Sequence, residues 1–141
     1  MTLEDAIEIA VKLHRGQVDK QGQPAILHPL HVMMQMDDEK GKILAVLHDA
    51  LEDGDLLQQG EILSGLKYYG HMDIHDALIA ITRKNGEPYS RYISRVNKNE
   101  LATRVKLKDL RHNIDRCIHG GKQFDELRRK YVKARARLLK P

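Results

Sequence analysis

Apolar residues recur every three or four positions along most of the 141-residue chain, and no useful stretch alternates between apolar and polar residues. Thr2 is suited to N-cap a first helix that places apolar side chains on one face up to His14. The same spacing predicts further helices over approximately 42–51, 74–83, 88–96, 100–118 and 124–139. A loop is predicted over 16–23, after which Pro29 is expected to open a helix as its first residue. The pattern therefore predicts an all-α fold.

The composition agrees with packed helices in one domain that spans residues 1–141. Apolar residues make up 41% of the chain and charged residues 31%, which is typical of a globular protein. With no Trp and one Phe, the core must be built from aliphatic side chains. No segment approaches the roughly 20 apolar residues of a membrane span, and residues 1–14 do not resemble a signal peptide. We therefore expect a soluble protein with no membrane partner.

The single cysteine and the distribution of charge narrow the function further. Cys117 excludes an internal disulfide and a cysteine-rich zinc site, and it is compatible with a reducing cytoplasm. The net charge is +4, and basic residues are concentrated in 122–140. This basic segment could bind nucleic acid, but we favour the solvated face of a terminal helix.

The strongest chemical signal is the run from His48 to Asp53. His48, Asp49, Glu52 and Asp53 are predicted to share one face of an otherwise apolar helix. Burying these groups without partners is costly, and a bound divalent cation would offset that cost. For Glu52 and Asp53 alone, the solvated end of a helix explains the pattern equally well.

One turn of helix cannot surround a metal ion, so other segments must supply ligands. His28 is held beside Pro29, and Asp109 lies four residues before Asn113 on one face of the long helix. Together with His48 and Asp49, these residues form a nitrogen and oxygen set suited to Mn, Fe or Zn.

Short motifs in a fixed order cover residues 10–116. They are His14-Arg15-Gly16-Gln17, Lys20-Gln21-Gly22-Gln23-Pro24, Ile26-Leu27-His28-Pro29-Leu30, Val46-Leu47-His48-Asp49 and the segment from Lys106 to Asn113. In this order and spacing they resemble the HD-domain hydrolases of the RelA/SpoT type, which degrade the alarmone guanosine 3′,5′-bis(diphosphate). The resemblance implies a single HD-type helical bundle. Because the 141 residues correspond to one domain, we expect a stand-alone form with no alarmone synthetase or regulatory region attached.

The resemblance also implies roles for individual residues. The metal ligands would be His28, His48, Asp49 and Asp109, and the ion would be Mn²⁺, with Zn²⁺ or Fe²⁺ as alternatives. Glu52 and Asp53 match the family's catalytic acidic pair. The expected substrate contacts are Lys20 and Asn113, together with Arg83 and Arg116 as phosphate-neutralising cations.

Two positions depart from the family pattern. Asp19 stands where the alarmone hydrolases carry an arginine that helps hold the guanine base, and Ala25 stands where they usually carry an aromatic residue. The expected function is removal of the 3′-diphosphate from the alarmone or a related nucleotide by a cytoplasmic enzyme. The alternatives are an HD nucleotidase acting on another nucleotide, or a helical nucleic-acid-binding protein with a vestigial metal site.

Overall fold

Helices dominate residues 1–140, the part of the chain that the computed structural model describes. They are α1 (Leu3–His14), α2 (Leu27–Met34), α3 (Glu39–Leu47), α4 (Ala50–Asp53), α5 (Leu56–Tyr68), α6 (Met72–Ile81), α7 (Tyr89–Asn97), α8 (Glu100–Gly120) and α9 (Asp125–Leu139), with a 3₁₀ turn over Lys122–Phe124. The only β-type pairing within these residues is an isolated bridge between Val18 and Pro24. The all-α prediction is confirmed.

The apolar helix α3 lies at the centre of the molecule. Its residues from Ile43 to Leu47 are all buried, and α1, α2, α6 and α8 pack around it. The long helix α8 then packs against α9, α7 and α2. Because α3 ends inside the core, the residues that follow it begin in a desolvated environment.

Helix ends agree with local sequence signals. Thr2 and Asp5 form a reciprocal capping box at the start of α1, and Asp55 and Gln58 form another at the start of α5. Helix α2 begins at Leu27, so Pro29 is its third residue and not its first, as the sequence had predicted, and His28 lies within the first turn. Pro29 is tolerated there because the first amides of a helix have no intrahelical acceptor.

The helix predicted over 42–51 is broken. In a continuing helix the carbonyl oxygen of Ala45 would accept from the Asp49 amide. It accepts instead from the His48 amide at 3.4 Å and from the His48 ring Nδ1 at 2.6 Å. The chain therefore turns at His48 and Asp49 before α4 begins. The prediction that His48, Asp49, Glu52 and Asp53 share one face of a single helix was wrong.

The spacing of apolar residues also did not predict α5. Only Ile62 and Leu66 of this helix are buried, whereas Leu56 and Leu57 are exposed, so its apolar spacing is weak. None of the helices in residues 1–140 combines the length and the apolar character needed to cross a membrane.

Candidate active site

Three parts of the fold bring the four predicted metal ligands together. His28 comes from the first turn of α2, His48 and Asp49 from the break between α3 and α4, and Asp109 from the middle of α8. The ligand atoms of His28, His48 and Asp49 all lie within 4.8 Å of one another. Asp109 Oδ1 lies 2.7 Å from His28 Nε2 and 3.3 Å from His48 Nε2. The cluster thus offers two imidazoles and two carboxylates on one spot.

The chemistry of His48 fits a metal ligand. Its Nδ1 donates to the carbonyl of Ala45, so Nε2 is the nitrogen that would offer its lone pair to a metal ion once the ring has lost its second proton. Nε2 is buried and has no hydrogen-bond partner within residues 1–140, although it lies 3.3 Å from one carboxylate oxygen each of Asp49 and Asp109. A divalent cation would satisfy this nitrogen and both carboxylates.

The electrostatics of the cluster point the same way. Burial opposes protonation of His48, but the carboxylates of Asp49 and Asp109 outweigh it and raise the pKa of His48 to about 9. Burial lowers the pKa of His28, which favours the neutral ring that a metal requires. The negative charge that favours a proton on His48 would equally favour a metal cation.

The two predicted catalytic acids are placed differently. Glu52 lines a cavity of about 260 Å³ above the ligand cluster, and its Oε1 accepts from the backbone amide of Arg83 at 3.1 Å. Asp53 is not part of the described wall of that cavity; its Oδ2 lies 3.6 Å from Nδ1 of the buried His14. Partial burial, followed by the charge of Asp49, raises the pKa of both carboxyl groups.

Cationic side chains make up much of the remaining wall of this first cavity, which we call the basic wall. Besides the ligands and Glu52, the wall includes the positively charged residues Arg83, Lys106, Arg116 and Lys130, three tyrosines and Asn113. The cavity therefore presents two surfaces to any molecule that enters it: the floor, formed by the candidate metal ligands His28, His48, Asp49 and Asp109, and the basic wall. Anionic groups suit the basic wall.

A second cavity of about 240 Å³ adjoins the first. Asn113, Arg116 and Tyr131 line both cavities. The rest of the second wall comes from the loop after α1, from α8 and from the start of α9: Val18, Asp19, Lys20, Gln21, Cys117, Phe124 and Leu127. The structure thus places predicted substrate contacts on both sides of one boundary, with Arg83 in the first cavity, Lys20 in the second, and Asn113 and Arg116 between them.

Proteins of known function are similar in sequence to most of this chain. A guanosine-3′,5′-bis(diphosphate) 3′-pyrophosphohydrolase of Borreliella burgdorferi is 34% identical over 122 residues, which is 77% of this chain and 18% of that protein. A GTP pyrophosphokinase of Myxococcus xanthus is 27% identical over 138 residues, covering 86% of this chain and 18% of that protein. No protein-family model matches the chain.

A solved structure gives the fold. It is described as a metazoan orthologue of SpoT that hydrolyses ppGpp, and it matches 98% of this chain and 85% of its own with a TM-score of 0.75 at 20% identity. The chain is a homologue of the alarmone hydrolase of Borreliella burgdorferi over 77% of its length, and it has the HD-type helical fold of the solved structure. This confirms the resemblance expected from the motifs, although the chain spans only about a fifth of the length of the curated relatives.

Two residues beside the ligand cluster of this HD-type chain were missed by sequence reasoning. Lys106 is 9% exposed, and its Nζ lies 2.7 Å from Asp109 Oδ2. His112 Nδ1 lies 2.7 Å from His28 Nδ1, and the His112 ring stacks on His31 with ring centroids 3.8 Å apart. Spacing could have pointed to both residues, because they lie three positions on either side of Asp109 on α8.

The sequence analysis also did not predict that α9 contributes residues to the walls of the two cavities. Lys130 reaches the first cavity with its Nζ 4.1 Å from the ring centre of Tyr89, and Tyr131 lines both cavities. Burial, together with the nearby charges of Arg83, Lys106 and Lys20, lowers the pKa of Lys130. The buried positions Ala134 and Leu138 fix the inner face of α9. The sequence could have indicated Lys130 and Tyr131, because they lie one helical turn before Ala134 and so continue its face.

Proposed function

We propose that the chain is a metal-dependent phosphohydrolase that removes the 3′-diphosphate from guanosine 3′,5′-bis(diphosphate) or a closely related nucleotide. The observation that carries the proposal is the pairing of the His28, His48, Asp49 and Asp109 cluster with a basic wall across a single cavity. The Borreliella burgdorferi relative, a guanosine-3′,5′-bis(diphosphate) 3′-pyrophosphohydrolase, supports the choice of substrate.

His28, His48, Asp49 and Asp109 would hold the metal, with Mn²⁺ as the expected ion. The nitrogen and oxygen donor set supports a transition metal of the Mn, Fe or Zn group. When bound, such an ion lowers the pKa of a coordinated water and so supplies hydroxide near neutral pH. His112 would hold the His28 ring through its Nδ1, and Lys106 would hold the Asp109 carboxylate through Oδ2.

Glu52 is the residue that would handle protons at the attacking water. Its carboxylate lies in the cavity wall and is anchored through one oxygen by the Arg83 amide, which leaves the other oxygen free to accept a proton. Its raised pKa suits that exchange near neutral pH. Asp53 would act beside it, with its carboxylate held close to the buried ring of His14.

The cations would bind the phosphate oxygens of the substrate. Arg83 and Lys130 lie in the first cavity, where they can bind the oxygens of the diphosphate group of the substrate. The second cavity would take the nucleoside, with Lys20 at its rim and Asn113 at the boundary where a ribose would lie. The apolar lining from Val18, Phe124 and Leu127 suits the face of a base.

A nucleotide is therefore the proposed partner, and the proposed compartment is the cytoplasm. The lone cysteine, Cys117, is buried at 5% exposure, which suits a reducing environment. The basic residues of α9 are partly used inside the fold, since Lys130 lines the first cavity and the Arg137 guanidinium donates to the Ser90 carbonyl at 2.8 Å. This supports an enzymatic role for α9 over nucleic-acid binding.

A panel of nucleotides incubated with the protein and Mn²⁺ tests the proposal, with pyrophosphate and orthophosphate measured separately. We expect pyrophosphate from guanosine 3′,5′-bis(diphosphate) and no release after the metal is chelated. Orthophosphate from a different nucleotide would identify an HD nucleotidase instead. Salt-sensitive binding of RNA or DNA, with no stoichiometric metal and no turnover, would favour the nucleic-acid-binding alternative.

A further inference from the structure

We propose that Asp19 is a positioning residue, which holds Arg116 and through it Asn113 at the boundary between the two cavities, and does not itself contact the nucleotide. The proposal concerns the loop formed by residues 15–26, between α1 and α2. It rests on the proposed function only for its kinetic test.

Both carboxylate oxygens of Asp19 are already engaged. Oδ1 accepts from the backbone amides of Gln21 at 2.8 Å and Gln23 at 2.9 Å. Oδ2 accepts from Arg116 Nη1 at 3.2 Å. Burial opposes ionisation of Asp19, but these three donors outweigh it and lower the pKa of the carboxyl group. Asp19 therefore caps its own turn and ties that turn to α8.

Arg116 continues the connection toward the metal ligands. Its Nη2 donates to Asn113 Oδ1 at 2.5 Å, and Asn113 Nδ2 donates to Asp109 Oδ1 at 3.1 Å. In addition, the Gln21 side chain donates to the Arg116 carbonyl at 2.7 Å. A chain of hydrogen bonds thus runs from the loop through α8 to Asp109. We call Asp19, Arg116 and Asn113 the loop clamp.

The loop clamp fixes which way the Asn113 amide faces. A guanidinium only donates and a carboxylate only accepts, so only one of the two amide orientations satisfies both Arg116 and Asp109. Without Arg116 the amide oxygen would lose its partner and the side chain could turn. Since Asn113 lines both cavities, its orientation matters to any ligand that spans them.

The loop clamp changes the expected effect of placing an arginine at position 19, where the alarmone hydrolases carry one. If Asp19 faced a nucleotide, replacing it with arginine would remove a repulsion and improve binding. In the loop clamp, Asp19→Arg removes the acceptor of two backbone amides and places a second cation beside Arg116. We expect Asp19→Arg to raise KM.

A double-mutant cycle on KM tests the clamp, with Asp19→Asn, Arg116→Gln and the double variant. Asparagine keeps an oxygen for the loop amides but loses the ion pair. Each single substitution is expected to raise KM about 10-fold, the scale of one hydrogen bond to a charged group, with kcat changed less than about 3-fold. The KM of the double variant is expected to be at most about twice the larger of the two single-variant KM values. Multiplication to about 100-fold, or a lower KM in Asp19→Arg, would overturn the proposal.

Hydrogen exchange of the loop gives a readout that needs neither substrate nor turnover. Arg116→Gln is expected to accelerate exchange of amides within residues 17–24 about 10-fold. Arg111→Gln, an exposed arginine on the same helix that lines neither cavity, should leave it unchanged. Accelerated exchange in a protein that turns over no nucleotide would support the clamp and contradict the proposed function. Unchanged exchange in Arg116→Gln would overturn the clamp whatever the enzyme hydrolyses.

Discussion

The floor of candidate metal ligands and the second cavity are built in opposite ways. The floor takes rigid positions on α2, α8 and the end of α3, and His28, His48 and Asp109 are each at most 7% exposed. The second cavity is formed between a loop, the outer part of α8 and α9, and it stays open to solvent through exposed residues such as Lys20. A buried cluster carried by helices suits chemistry at a fixed atom, whereas a cavity with partly exposed polar and apolar lining suits the binding of a substrate.

This difference predicts that substitutions in the two regions change different kinetic parameters. Changes in the floor should remove metal or lower kcat, because they act on the reacting atoms. Changes around the second cavity and the basic wall should raise KM and leave kcat nearly unchanged, because they supply binding that is equal in the ground and transition states. The predictions below test this separation.

The largest effect is expected from the ligands themselves. His48→Ala and Asp109→Ala should each strip the metal and lower turnover about 10³-fold or more, corresponding to several kcal/mol of lost stabilisation. Elemental analysis and kinetics measure this, and Asp115→Ala, an exposed position on α8, is the control. His48→Ala is the cleaner variant, because Asp109→Ala also leaves the buried Lys106 unpaired and must be checked for folding. Full metal occupancy in both variants would contradict the site.

The acidic pair should show an intermediate effect with the metal retained. Glu52→Gln keeps the shape of the side chain but loses the proton acceptor, so turnover should fall about 10²-fold. Asp53→Asn should cost less, about 10-fold by the same scale, because Asp53 contacts His14 and not the cavity. Glu61→Gln, exposed on α5, is the control. Near-native rates in both variants would remove Glu52 and Asp53 from the catalytic assignment.

Most of the fold could be predicted from apolar spacing, and the exceptions have a common cause. The ends of α8 and α9 and the capping box at Thr2 follow rules that act within a few residues. The break after Leu47 could not be predicted, since it depends on the His48 ring competing for a backbone carbonyl. Helix α5 was missed because it buries only two side chains and relies on its neighbours for support.

The residues of the candidate site divide in the same way, into those that the local sequence indicates and those whose contacts depend on distant parts of the chain. His28, His48, Asp49 and Asp109 could be found because polar groups in apolar surroundings are conspicuous, and the motif order added the family. The function of Asp19 could not be inferred from its type, because its partner Arg116 is 97 residues away in the chain. Lys130 was taken as part of a solvated surface, since only the packing of α9 against α7 and α8 turns it toward the cavity.

The smallest effect is expected at Lys130, and it tests whether α9 belongs to the substrate site. Lys130→Met keeps an unbranched apolar side chain of similar length but removes the charge that faces the first cavity, together with the cation–π contact of Nζ with Tyr89. One charge-assisted contact to phosphate corresponds to about 1.5 kcal/mol, so KM for the alarmone should rise about 10-fold while kcat stays within about 2-fold. Lys133→Met is the matched control, because Lys133 is exposed on the same helix and lies outside both cavities. A fall in kcat with an unchanged KM would place Lys130 with the floor and end the separation between the two regions. An equal rise of KM in both variants would instead indicate long-range attraction by the basic helix, which would weaken with salt in a way that a contact inside the cavity would not.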